Sequence, residues 1–147
     1  MQNRRASAPG KLVLFGEFAV FDGAPLGVVP APARCLAELG RGDGGAACCC
    51  VLHAGELLEL RGDPAVLEQW PPLVAAVLAT CLPSPALRSE LLCGQRLSVD
   101  TRTFYRDGVK LGLGSSAAVA AALSALLSRD EASVAGLERH FALAWQA

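Results

Sequence analysis

Lys110-Leu111-Gly112-Leu113-Gly114-Ser115-Ser116-Ala117 runs directly into Ala118-Val119-Ala120-Ala121-Ala122-Leu123. The alanine-rich half is a strong helix former. The first half is not helix interior, because Gly112 and Gly114 suit a bend that a Cβ would obstruct. The stretch therefore predicts a glycine loop that opens a helix over about Ser115 to Ser128. A helix start leaves its first N–H groups unpaired and carries partial positive charge. That makes an anion site, with phosphate the natural occupant. One serine hydroxyl can cap the helix, which leaves the other for phosphate or Mg²⁺. The same residues also fit a tight helix start that binds nothing.

Working back from the loop, the 147 residues suit one domain with room for a sizeable core. Apolar residues make up 52% of the chain, which excludes a disordered composition. A net charge of −1 without a long basic run argues against a nucleic-acid surface. The apolar helical stretches are too short and too interrupted for a membrane span. Met1 to Gly10 has no apolar core of a secretion signal, so a reduced, cytoplasmic protein is expected. Cys48-Cys49-Cys50 alternate faces on a strand and cannot converge on one metal; they read as small apolar residues or hold a reactive thiol. Of the 13 basic residues only Lys11 and Lys110 are lysine, and both stand beside glycines. Lysine acts as a compact point charge on phosphate.

The rest of the chain gives an α+β order. Residues 1–8 read as a polar arm and Pro9-Gly10 as a turn. Lys11–Phe15 reads as a buried strand stopped by Gly16. Asp22-Gly23 marks a turn, and Leu26–Val29 and Ala33–Leu39 read as strand pieces broken by Pro30 and Pro32. A glycine-rich connection over 41–45 leads to strands at Cys48–His53 and Glu56–Leu60. Arg61-Gly62-Asp63 spells an adhesion motif but reads as a turn. Asp63 and Pro64 look like the cap and first position of a helix through Val66, Leu67, Trp70, Leu73, Val74, Val77 and Leu78, kinked or split at Pro71-Pro72. Leu82-Pro83-Ser84-Pro85 reads as a loop, Gln95–Phe104 as a strand and Asp107-Gly108 as a turn. A last helix, capped by Ser128 or Asp130, carries Val134, Leu137, Phe141, Leu143 and Trp145.

The loop is neither a Walker A sequence nor a dinucleotide fingerprint. Pro9-Gly10-Lys11, followed by Gly16-Glu17, resembles the first motif of the GHMP kinases, the family of galactokinase, homoserine kinase, mevalonate kinase and phosphomevalonate kinase. Gly112-Leu113-Gly114-Ser115-Ser116-Ala117-Ala118 resembles their second, ATP-binding motif.

The resemblance implies a fold like the second domain of ribosomal protein S5, with residues 1–147 as an N-terminal, ATP-binding domain. It implies that ATP lies on Lys110, Gly112, Leu113, Gly114, Ser115, Ser116 and Ala117, with Ser116 as Mg²⁺ ligand and Ser115 on phosphate. It implies Lys11 as the catalytic cation beside the transferred phosphoryl group, and Gly16 and Glu17 beside a small-molecule acceptor. Positioning and charge neutralisation are what phosphoryl transfer needs.

Phe18 stands where mevalonate kinases carry His, and Lys110-Leu111-Gly112 is closer to the phosphomevalonate kinase form. A phosphomevalonate kinase-like activity is therefore expected, with mevalonate kinase or another sugar or alcohol kinase as the alternative. The family's catalytic aspartate and C-terminal domain are expected beyond Ala147, so the isolated chain is expected to be inactive, a nucleotide-binding part. His140 on the last helix is another candidate base and also reads as an ordinary helix residue; His53 reads as structural, and nothing in the sequence gives Asp100 or Asp107 the role. A bare apolar face, with self-association or a homodimer as its consequence, is expected where the absent domain would sit.

Overall fold

The computed structural model describes residues 3–42, 48–53 and 56–128, with only the backbone described between 48 and 59. The last helix expected from the sequence with His140, residues 43–47 and 54–55, and the thiols of Cys48–Cys50 lie outside the described residues and side chains.

A five-stranded sheet carries the fold. Its strands are β1 (Arg4–Phe15), β2 (Gly27–Arg41), β3 (Cys48–His53), β4 (Glu56–Arg61) and β5 (Gln95–Asp100). They lie in the order β1-β2-β5-β3-β4. All neighbours are antiparallel except β3 and β5, which run parallel. The helices are α1 (Pro72–Cys81), α2 (Pro85–Leu92) and α3 (Ser115–Leu127). A short hairpin, β6 (Tyr105–Arg106) and β7 (Val109–Lys110), precedes α3. This is the α+β class expected from the order of elements.

Small residues fix where α3 lies. Ala31, Ala33, Cys35, Ala37 and Leu39 alternate along β2 and are all buried. Ala118, Ala122 and Leu123 of α3 are buried in the same core as Ala33, Cys35, Ala37 and Leu39. Alanine against alanine lets a helix sit close on a sheet at native packing density. Leu97 and Val99 of β5 and Val74, Val77 and Leu78 of α1 complete the core. α1 and α2 meet at a bend of 105°, and no single helix among the described residues is long and apolar enough to cross a membrane.

Burial pushes the Cys35 thiol up to about 12, and the nearby Asp100 carboxylate acts in the same direction. An unfolded chain releases that proton near 9.0, the ordinary value, while the folded chain keeps it. Stability therefore falls as pH rises through the window between those values, by up to about 1.4 kcal/mol per pH unit. Urea denaturation at about pH 8 and about pH 10.5 should show a steeper loss for the native sequence than for Cys35→Ala. Equal losses would contradict the assignment.

Several elements differ from the sequence reading. Pro9-Gly10 is not a turn: β1 runs through it as one strand, and the pairing register with β2 shifts between those two residues. β2 is likewise continuous, with Pro30 and Pro32 tolerated because β5 pairs only with Leu36–Arg41. Asp63 caps no helix. Its carboxylate accepts from the Ala65 N–H at 2.8 Å, a 3-10 turn follows at Leu67–Gln69, and α1 begins only at Pro72. The Pro85 region is not all loop, since Ser84 Oγ accepts from the Leu87 N–H at 3.3 Å and so caps α2. β5 ends at Asp100, and a 3-10 turn, Arg102–Phe104, takes its place.

Beyond the part of the sheet covered by helices, β1 and β2 continue as a two-stranded ribbon from Gly10–Phe15 and Gly27–Ala31. A 3-10 turn, Ala19–Asp22, joins them. Gly16 has a φ of +83°, and a Cβ there would meet the Pro25 carbonyl oxygen, so only glycine lets the chain reverse beside it. Leu12, Leu14, Phe15 and Leu26 are exposed on this arm, as are Phe18 at 79% and Phe21 at 86%.

Candidate nucleotide site

The register shift in β1 is where the site begins. Pro9 faces Arg34 and Gly10 faces Ala31, so Pro32 and Ala33 have no partner in β1. Thr103 braces β2 next to the shift: its Oγ1 accepts from the Arg34 N–H at 2.9 Å and donates to the Arg34 carbonyl at 2.8 Å. That pair anchors the 3-10 turn and puts the fully buried Phe104 under Gly10. A Cβ on Gly10 would lie 2.7 Å from Phe104 Cε1 and 2.5 Å from the Leu113 carbonyl oxygen. Gly10 is therefore glycine for close approach.

The chain then returns to the same place. Asp107 (φ 50°) and Gly108 (φ 76°) turn the β6–β7 hairpin with left-handed residues at both positions, which suits a tight two-residue turn. The Leu111 N–H donates to the Phe104 carbonyl at 2.9 Å. Gly112 and Gly114 follow at φ values of 69° and 70°. Between them the Leu113 carbonyl accepts from the Lys11 N–H at 2.8 Å. The loop and the first glycine motif are thus tied by a main-chain hydrogen bond.

Gly114 itself is the N-cap of α3, in the left-handed region, and no side chain caps this helix. The expectation of a serine hydroxyl as cap is corrected: both serines lie inside the first turn. The first helical bond runs from the Ala118 N–H to the Gly114 carbonyl at 3.1 Å. The N–H groups of Ser115, Ser116 and Ala117 precede it and are the open donors of the helix start. Ser115 is buried, whereas Ser116 and Ala117 are exposed. Lys11 lies across the loop, since a Cβ on Gly114 would stand 2.7 Å from Lys11 Cγ. One cation and a helix dipole therefore meet over the same backbone.

A cavity of about 180 Å³ adjoins this point. Ser115, Ser116, Val119 and Lys110 form its loop side. Pro71, Leu73 and Val74 at the start of α1 form the opposite wall, with Val99, Thr101 and Tyr105 beside them. Its walls mix apolar side chains with Thr101, Tyr105, Lys110 and the two serines, a combination that small-molecule sites use.

Gly16 and Glu17 are not part of this cluster. They sit past the end of β1, five residues or more from Lys11, at the tip of the exposed arm. At about 3.3 Å per strand residue, the four steps from Lys11 to the end of β1 at Phe15 alone span about 13 Å. Asp100 faces away into a bond with the Arg102 guanidinium at 2.7 Å, which holds its carboxyl below the usual range. Asp107 is occupied with the hairpin turn. Thr103, Phe104 and the Pro71–Val74 wall were invisible in the sequence, because each reaches the loop through tertiary contact alone.

This architecture is the fold of the GHMP-family kinases, as the two glycine motifs imply. The Methanococcus jannaschii mevalonate kinase superposes with a TM-score of 0.71 at 16% identity, over 98% of this chain and 45% of its own. The Lin0012 protein from Listeria innocua gives 0.70 at 24% identity, over 98% and 41%. A Streptococcus pneumoniae phosphomevalonate kinase, solved with phosphomevalonate and AMPPNP, gives 0.59 at 21% identity, over 95% and 40%. The chain thus spans less than half the length of each. No protein-family profile and no curated protein matches its sequence.

Proposed function

We propose that this chain binds Mg-ATP for phosphoryl transfer to a small-molecule acceptor, in the manner of a phosphomevalonate kinase. The observation that carries the reading is the loop itself: two left-handed glycines, an uncapped helix start and Lys11 held across it. The likeness to kinases of phosphomevalonate, mevalonate and galactose supports the reaction class.

The residues present fit a nucleotide. The N–H groups of Ser115, Ser116 and Ala117 suit phosphate oxygens, and nothing stands within 4 Å of the place a Gly112 Cβ would take, so the loop is open on that side. The adjoining cavity suits the base, with Val74 and Val119 on its apolar walls. Among the described residues no group of three or more His, Cys, Asp or Glu could hold a metal. Magnesium would therefore arrive on the phosphates and take the Ser116 hydroxyl as a protein ligand, as Mg²⁺ usually does. Bound ATP supplies the phosphoryl group. Lys11 offsets charge where that group departs, and Lys110 adds a second cation suited to a phosphorylated acceptor.

We propose further that a second domain covers the β1–β2 arm and brings a base and the rest of the acceptor site to Lys11. Two points support it. A two-stranded ribbon is marginal in water by itself, and this one exposes Phe15, Phe18 and Phe21. The kinases it resembles are more than twice as long. Glu17, on the arm's tip, would then face the acceptor side.

Calorimetric titration tests the nucleotide reading. Mg-ATP should bind with a Kd of about 1 mM or tighter, and Ser116→Ala should weaken it by roughly threefold to tenfold. Absence of binding would overturn the reading, and an unchanged affinity in Ser116→Ala would remove that hydroxyl from the magnesium site. With AMPPNP present, phosphomevalonate should bind in preference to mevalonate and galactose. The reverse preference would overturn the acceptor assignment.

A further inference from the structure

Arg88 is a charged side chain with only 5% of its surface exposed, and the nucleotide reading gives it no role. Its guanidinium donates to main-chain carbonyls on two separate segments. Nε and Nη2 reach Pro64 at 3.1 Å and Ala65 at 3.2 Å. Nη1 reaches Leu82 at 2.8 Å and Pro83 at 3.2 Å. The first segment leads into α1 and the second leaves it. One planar fork thus ties the segment that leads toward α1 to the C-terminal end of that helix, a geometry that a lysine ammonium cannot reproduce.

The first segment passes this constraint on as a unit. The Asp63 N–H donates to Gln69 Oε1 at 3.0 Å. The Asp63 carbonyl accepts from the Val66 N–H at 3.0 Å and from Trp70 Nε1 at 3.4 Å. Residues 63–70 therefore close into a ring around the buried Trp70. Pro71 and Pro72 come next, and proline fixes their backbone direction. Pro71, Leu73 and Val74 are the cavity wall that faces Ser115 and Val119.

We propose that Arg88 is a positioning residue that sets the α1 wall of the cavity, and with it the chain's affinity for the base of a nucleotide. The proposal rests on the reading of that cavity as the seat of the base. The phosphate loop rests on α3 and β1, and the four carbonyls that Arg88 holds lie on neither. The two halves of a nucleotide should therefore respond differently.

The test titrates the full chain with two probes, Mg-ATP and magnesium tripolyphosphate, which has the phosphates and no base. The native chain should hold ATP the tighter of the two. Arg88→Lys should weaken ATP about tenfold and leave tripolyphosphate within about twofold. Gln69→Ala, on the exposed side of the ring, should show the same selectivity to a smaller degree and keeps the test open if Arg88→Lys does not fold. Equal losses for both probes would reduce Arg88 to a general stabiliser and overturn the proposal, as would unchanged ATP affinity in folded variants. Equal affinity of the native chain for both probes would instead overturn the base-site reading, and the proposal with it.

Discussion

Replacing Gly10 with alanine is expected to destabilise the chain by about 1–3 kcal/mol and to lower its affinity for Mg-ATP at least about tenfold. The cause is space, not backbone conformation, because Gly10 is absent from the positive-φ residues. The added carbon would stand 2.5 Å from the Leu113 carbonyl oxygen and 2.7 Å from a buried ring carbon of Phe104. Neither neighbour is a free side-chain end that can swing away. The loop must lift from β1, and the bond from the Lys11 N–H to that carbonyl lengthens or breaks. Lys11 and the open N–H groups of α3 then lose their common position. Thermal denaturation and calorimetry on the same sample check both parts. A variant of native stability and native affinity would mean that the loop does not rest on the strand at all.

Phe104→Ala is expected to lower stability by roughly 3–5 kcal/mol. Phe104 is fully buried in the main core, which also holds Cys35, Val99 and Val119, and its ring lies against Gly10. Its removal opens a cavity under the register shift, where the strand is already bent and cannot easily collapse. For a domain whose whole stability is on the order of 5–15 kcal/mol, that loss is severe. The melting temperature should fall by roughly 10 °C. Phe104→Leu should recover more than half of it, because most of the volume returns. Equal losses for both variants would point to the ring's shape at Gly10, and no loss would contradict the packing described.

The α+β class and the glycine loop were legible in the sequence, and the strand boundaries were not. Gly112 and Gly114 are legible because a left-handed backbone is a local need that a residue type answers directly. The α3 helix is legible for the same reason, through its run of alanines. The family resemblance then linked this loop to Pro9-Gly10-Lys11, and the structure ties the two by one hydrogen bond. The punctuation of the strands was harder to read. Pro9, Gly10, Pro30 and Pro32 look like breaks, yet β1 and β2 run through them. They survive because β1 is an edge strand and Pro30 and Pro32 lie beyond the β5 ladder, so a missing N–H disturbs no central pairing. Asp63-Pro64 carries a helix-start signature, but its carboxylate closes a turn instead. Tertiary demand decides here: Arg88 takes the Pro64 and Ala65 carbonyls, which a helix would have used internally. Nothing local to Arg88 or Phe104 announces either role.

Amide chemical-shift mapping of the chain during titration with Mg-ATP checks whether the loop from Gly112 to Ser116 and the cavity beside it receive a nucleotide. The largest shifts should fall on the N–H groups of Gly112, Gly114, Ser115, Ser116, Ala117 and Lys11, with a second group at Leu73, Val74 and Tyr105 around the cavity. Shifts confined to the arm around Phe18 and Phe21, or to the outer face of the sheet around Arg34 and Glu38, would contradict that placement.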